Sequence, residues 1–372
     1  MFQLSHKKIH IAGDYRIIVI SDIHSHLDRF IQLLHKVHYD PEYDYLVILG
    51  DFVEKGDQAL ETLHYIQELD QNKKVFVLLG NCEWALKAML ELEEFAKDIP
   101  TYFKRVDKNG LVRDTYKKLS ISSKTENWLS IQRRIRDALK EELDYISRLP
   151  LSLKVNEEFL FVHAGIDKVG YESCSLSSLL EMQDFYYRGH NLDLDVVIGH
   201  IPTSNFRNTI DNSILINKKE RMIGIDGGTG VKPISQLNAF IITKKNNHIT
   251  YKKEYVRNYP IIHAIKDIQV QNNPSHKISY PNFEVEVLEK GNEFSKCIRI
   301  SDHQTINIKN EFLYTRNNKA YCLDDYTDHL LNTKKGQKIE ICGVYGSYIY
   351  GILNNELGWI EISNTDYKEG NR

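Results

Sequence analysis

Six side chains in this 372-residue sequence are of the types that hold metal ions, and each follows a short apolar run. Asp22 and His24 close YRIIVISDIH, Asp51 closes YLVILGD and Asn81 closes VFVLLGN. His163 closes FLFVH and His200 closes DVVIGH. Two carboxylates, one amide oxygen and three imidazoles form a mixed oxygen and nitrogen donor set. Such a set suits borderline divalent ions, Mn2+ first and Fe2+ or Zn2+ next, better than Ca2+ or Cu+. Six donors are too many for one catalytic ion with open positions. With Asp51 shared, they suit two ions roughly 3.5–4 Å apart. Singly the pieces say little, since Gly-Asp after a strand is a common turn and a buried histidine is usually a satisfied core residue. Their shared placement at the ends of apolar runs is the signal.

Side chains so far apart in sequence meet only if the chain brings strand ends together. Residues 15–21, 44–51 and 74–81 read as short buried strands, and each is followed by a helical period, at 26–38, 58–70 and EWALKAMLELEEFA. Strand–turn–helix three times over predicts a parallel βαβ sheet, whose ligands gather beyond the carboxyl ends of the strands. The charged stretch 100–150, helical from about 125 to 148, reads as an inserted cap. Strand signal returns at 159–165 and 195–200. Beyond about 212, SILIN, RMIGID, NAFIITK and HITYKKEYV suit a second sheet that completes a sandwich. The fold class expected is therefore α/β, an α+β sandwich with a helical insertion, followed by small all-β modules. The domains expected are 1–258, a β module over 259–315 and a β-barrel module over 316–372. A weak repeat lays EVLEKGNEFSKCIRI (286–300) on EICGVYGSYIYGILN (340–354), with Phe294 on Tyr348.

Composition narrows the function classes. Lys plus Arg number 48 and Asp plus Glu 51, a net charge of −3, so no basic field invites duplex nucleic acid. No apolar run approaches the ~18–20 residues of a membrane span, and MFQLSHKKIH lacks the apolar core of a secretory signal. Five cysteines, at 82, 174, 297, 322 and 342, make neither a disulfide framework nor a CxxC knuckle. A cytoplasmic location is the expectation.

In order and spacing, SDIHSH, GDFVEKG, GNCE, HAG and GH resemble the signature blocks of the phosphoprotein phosphatase branch of calcineurin-like metallophosphoesterases, bacterial type. That family reads GDxHG, GDxVDRG, GNHE, HGG or HAG, and GH, and the resemblance covers roughly residues 15–255. It implies a four-layer metallophosphoesterase fold and a dimetal enzyme that hydrolyses phosphate esters or anhydrides by direct attack of metal-bound hydroxide. By position, Asp22 and His24 would hold the first ion, Asp51 would bridge, and Asn81, His163 and His200 would hold the second. Arg188 in QDFYYRGH stands where bacterial members carry a phosphate-clamping arginine, and Lys55 and Asn81 would face the phosphate too. The tail, KKGQKIEICGVYGSYIYGILNNELGWIEI, resembles bacterial Src-homology-like barrels, which implies a peptide or polymer partner or a plain packing role.

The departures are confined to the acid dyad and one clamp. Cys82 replaces the family's histidine, Glu54 its aspartate and Lys55 its arginine, while every metal ligand is kept. Three readings stand open. Cys82 is a poor acid and the enzyme favours good leaving groups. Alternatively its thiolate joins the metals or responds to redox. Or turnover is lost and the site only binds phosphate, as an adaptor would. The substrate expected is a phosphoprotein, as for a serine/threonine-type phosphatase relative; the alternative is a nucleotide such as a dinucleoside polyphosphate.

Overall fold

The computed structural model describes residues 4–104, 109–122, 126–167, 170–271 and 275–368. The chain divides into two compact units. The first comprises Met1–Thr203, Ser213–Val231 and Ser235–Arg257, and the second Ser204–Asn212, Lys232–Ile234 and Asn258–Arg372. No helix among the described residues is long and apolar enough to cross a membrane.

The first unit contains two sheets. Its strands are β1 (His6–Ile9), β2 (Tyr15–Ile20), β3 (Tyr45–Ile48), β4 (Val75–Val77), β5 (Ser152–Val155) and β6 (Phe159–Val162), then β7 (Asp195–Ile198), β8 (Leu215–Asn217), β9 (Met222–Gly224), β10 (Leu237–Lys245) and β11 (His248–Val256). One sheet runs β11-β10-β2-β3-β4 and the other β1-β5-β6-β7-β9-β8. The apolar strands bury both faces, as strands covered on two sides must. In β2, Ile17 and Val19 join a core with Leu153, Phe161, Val197 and Phe240, while Ile18 and Ile20 face the helix-side core. That split is the period-2 alternation of side chains along a strand.

Helices α1 (Leu27–Lys36), α2 (Ala59–Leu69) and α3 (Asn81–Glu91) follow β2, β3 and β4, as the periodicity predicts. The last two strand segments are placed differently from the expectation. NAFIITK and HITYKKEYV form β10 and β11 and extend the first sheet, with β10 antiparallel to β2. The second sheet is instead built on FLFV and DVVI. Periodicity reports which residues are buried, and the choice of sheet is made by long-range pairing. The insertion contains α4 (Ile99–Lys104), α5 (Leu111–Lys118), α6 (Trp128–Ala138) and α7 (Lys140–Ile146). Leu111, Ile131, Ile135 and Leu143 bury into the helix-side core.

In the second unit, a five-stranded antiparallel sheet spans Glu284–Cys322 and a four-stranded one joins Ile261–His263 to Lys338–Glu361. The boundary expected at 315 falls inside the strand Leu313–Arg316, because the Asn317–Asn318 turn returns that strand antiparallel onto Lys319–Cys322. The repeated segments are both β-hairpins, and Phe294 meets Tyr348 edge-on, ring centroids 4.9 Å apart. Tyr350 and Trp359 are buried core residues, stacked at 4.3 Å.

Candidate metal centre

Register explains why the six donors converge. Ile20, Ile48 and Val77 are cross-strand neighbours in parallel strands, so Asp22, Asp51 and Asn81 leave one edge of the first sheet within four residues of that line. In the second sheet Phe161 pairs with Val197 and Val197 with Ile223, which brings His163, His200 and Asp226 to the matching edge. The two edges are tied together: His163 Nδ1 lies 2.7 Å from the Leu49 carbonyl, and the His200 N–H donates to Asp22 Oδ2 at 3.0 Å. Asp22, His24, Asp51 and His200 all have positive φ, between 48° and 67°. Left-handed backbone at four non-glycine residues is strain of the kind that collects at functional sites. Glycine is required beside them. A Cβ on Gly199 would sit 2.4 Å from Asp22 Oδ2, and one on Gly80 would sit 2.2 Å from the Asp51 nitrogen.

Two groups of potential ligand atoms result, His24–Asp51–Cys82 and Asp51–His163–His200, each mutually within 4.8 Å. Asp51 divides its oxygens between them. Oδ2 lies 3.7 Å from His24 Nε2, and Oδ1 lies 3.5 Å from His163 Nε2. Asn81 Oδ1 is 2.9 Å from both His163 Nε2 and His200 Nδ1. The Leu49 carbonyl takes the proton of His163 on Nδ1, and the Glu181 backbone bonds His200 from the other side. In the neutral rings both inward nitrogens therefore present lone pairs. Burial, reinforced by His163, lowers the His200 pKa to about 4, so that ring stays neutral. When both rings are neutral, three lone-pair atoms face one another, an arrangement that a cation resolves. Asp22 Oδ1, 3.8 Å from His24 Nε2, is buried without a hydrogen-bond partner and points at the other group. The donor set fits two divalent ions.

The other sequence-derived residues divide. Lys55 reaches the centre, its Nζ 3.3 Å from His24 Nε2 and 3.8 Å from Asp51 Oδ2, facing ligands where a phosphate contact was expected. Cys82 also reaches it: its N–H donates to Asp51 Oδ1 at 2.8 Å and its Sγ to Asp51 Oδ2 at 3.1 Å. Burial and the Asp51 charge push its thiol pKa well up. Glu54 turns into the insertion, where its carboxylate accepts from the Tyr102 hydroxyl and, at 2.8 Å, from the Leu111 N–H. The dyad expected between Cys82 and Glu54 is thus drawn apart by the hydrogen bonds Glu54 finds in the insertion. Arg188 pairs with Asp184 at 3.2 Å, both side chains about half exposed.

Two residues were missed. Glu83 is fully buried; Oε2 accepts from the Asp51 and Gly80 amides at 2.9 and 3.1 Å, and Oε1 from those of Phe52 and Val53 at 2.9 and 3.0 Å. It fixes the loop that carries Asp51. Asp226 is buried near Asp22 with Oδ2 unpartnered. Its signal was the shared pattern, an apolar run, RMIGI, ended by an acid.

A family model, "Calcineurin-like phosphoesterase", matches residues 15–222, more than half of the chain and all six donors. The chain belongs to the calcineurin-like phosphoesterase family. Among its relatives, the symmetrical bis(5'-nucleosyl)-tetraphosphatase of Marinomonas sp. is 39% identical over 71 residues, 19% of this chain and 25% of the relative. The enzyme of that name from Vibrio campbellii is 30% identical over 148 residues, 40% of this chain and 44% of the relative. This phosphoesterase therefore aligns with less than half the length of either. A solved protein serine/threonine phosphatase from Saccharomyces cerevisiae is similar at 13% identity and a TM-score of 0.41, over 68% of this chain and 85% of that one.

Proposed function

We propose that this phosphoesterase hydrolyses phosphoanhydride bonds of nucleotide-type substrates, dinucleoside polyphosphates among them, with two divalent ions, Mn2+ among those that support turnover. The observation that carries the reading is the facing of Asn81 Oδ1, His163 Nε2 and His200 Nδ1 at 2.9 Å, beside an Asp51 whose second oxygen serves His24. Asp22, His24 and Asp51 would hold one ion, and Asp51, Asn81, His163 and His200 the other. When bound, two such ions supply charge for a phosphate and bring the pKa of water at the site from 15.7 toward ~7.

The chain's own groups do the rest. The Leu49 carbonyl fixes the His163 tautomer, and Glu83 holds the Asp51 loop by four amides. Burial opposes the charge on Lys55, but the acidic groups around it, Asp51 and Asp22 included, outweigh burial and push its pKa up. Lys55 therefore stays cationic and contributes a fixed positive charge.

Both residues at the dyad positions are engaged by other groups of the chain. Glu54 is engaged by Tyr102 and Leu111, and the Cys82 thiol by Asp51. A general acid is worth about 10²–10⁴-fold, and an alkoxide leaving from phosphoserine needs one more than a nucleotide phosphate does. The leaving-group chemistry, together with the names of the relatives, favours the nucleotide reading over the protein phosphatase one. The test compares a dinucleoside tetraphosphate, p-nitrophenyl phosphate and a phosphoserine peptide with Mn2+ present. The expected result is that the peptide is slowest by roughly 10²-fold or more. Equal rates would remove the leaving-group argument, and no turnover above free metal would remove the enzyme.

A further inference from the structure

The two groups of ligand atoms are chemically unequal. Around Asp51 Oδ1 stand an amide oxygen and two imidazoles; around Asp51 Oδ2 stand His24 and the sulfur of Cys82, with Asp22 Oδ1 beyond them beside His24 Nε2. We propose that Cys82 is a thiolate ligand of the first ion, and that this subsite prefers Zn2+, Fe2+ or Co2+ to Mn2+ or Mg2+. The proposal rests on the two-metal reading above and deepens it.

Three observations carry it. The Cys82 Sγ, a His24 ring nitrogen and an Asp51 oxygen lie within 4.8 Å of one another, close enough to share one ion. The position is fixed by the backbone. Cys82 is the second residue of α3, and its N–H is tied to Asp51 Oδ1 at 2.8 Å, so the sulfur is delivered to the other oxygen of the same carboxylate, 3.1 Å from Oδ2. Independently of the cysteine, Asp22 Oδ1 is buried, has no hydrogen-bond partner and stands 3.8 Å from His24 Nε2. A cation is already attracted there, since the Lys55 ammonium lies 3.3 Å from His24 Nε2.

Asp22, His24, Asp51 and Cys82 would give an O/N/O/S set. Sulfur donors select borderline or soft ions over Mg2+ and Mn2+. On binding, the Cys82 S–H bond breaks, a sulfur–metal bond forms and one proton leaves to solvent. The same assignment accounts for Glu54: with Cys82 committed to an ion there is no acid for Glu54 to orient, and it is free to anchor the insertion.

The test is cobalt substitution of the full chain. Two bound Co2+ are expected, with a near-ultraviolet sulfur-to-cobalt charge-transfer band that is lost in Cys82→Ser and kept in Cys174→Ser. The affinity ratio of Zn2+ to Mn2+ should fall at least roughly tenfold in Cys82→Ser. Two bound Co2+ without the band in the unaltered protein, which needs no variant to fold, would overturn the proposal. A band that persists in Cys82→Ser would overturn it too. No bound Co2+ at all would overturn the metal centre itself, and this proposal with it.

Discussion

Asp51 lends one oxygen to each group of ligand atoms, and at the scale of the residue this sharing is what makes the site. Replacing it with asparagine keeps the volume but removes the charge between the subsites. Asp51→Asn is expected to lower turnover by at least about 10²–10³-fold, as removal of a principal electrostatic stabiliser does, and steady-state assays with saturating metal will measure it. Asp22 supplies a pH dependence. Burial first, then the charge of Asp51, raises its pKa to about 8, so below that pH the metal-free protein holds a proton that an ion must displace. The Asp22 contribution to metal affinity should therefore rise with pH and level off above about 8. The sign for stability is opposite: a folded pKa raised above the unfolded 3.8 means the metal-free fold loses stability as pH rises through about 8. Isothermal titration in buffers of different ionisation enthalpy will count the protons released. His200, held near 4 by burial, contributes none of this above pH 6.

At the scale of the element, the site depends on loops that leave strand ends in left-handed backbone, and Glu83 binds the Asp51 loop to the start of α3. Glu83→Gln places an N–H against amide donors and leaves at least two of them unmet. The expected cost is about 2–6 kcal/mol, two buried donors left unmet at about 1–3 kcal/mol each, read from the shift in urea midpoint. Much of this was legible in the sequence, because a short apolar run stopped by Gly-Asp, Gly-Asn or Gly-His declares a buried strand and the group at its end. The direction of a side chain was not legible. Glu54 looked like half of an acid pair, yet its partner is set by the insertion, 48 residues away at Tyr102. Lys55 and Arg188 show the same limit: their type and position in the chain suggest phosphate contacts, but that one lies beside His24 and the other beside Asp184 is not written in the sequence. The sheet joined by β10 and β11 was likewise beyond local pattern, since strand pairing is a long-range choice.

At the scale of the whole molecule, the family match over residues 15–222 lies mostly in the unit that bears the site, and the second unit has a core of its own. Aromatic residues of the tail help build that core: Trp359 is 1% exposed, stacks on Tyr350 and donates its Nε1–H to the Thr327 carbonyl at 2.8 Å. Trp359→Ala should cost about 3–5 kcal/mol, while Trp359→Phe, which keeps the ring and loses the donor, should cost about 1–3 kcal/mol. Denaturant unfolding of the full chain will rank them, and equal costs would mean the hydrogen bond rather than the packing dominates. Every functional statement above depends on Asp51 joining two ion sites. The most direct measurement is elemental analysis of the folded, metal-saturated protein beside His163→Ala and His24→Ala. Two ions per chain in the unaltered protein and one in each variant are predicted; a single ion, or a pair that survives both substitutions, would contradict it.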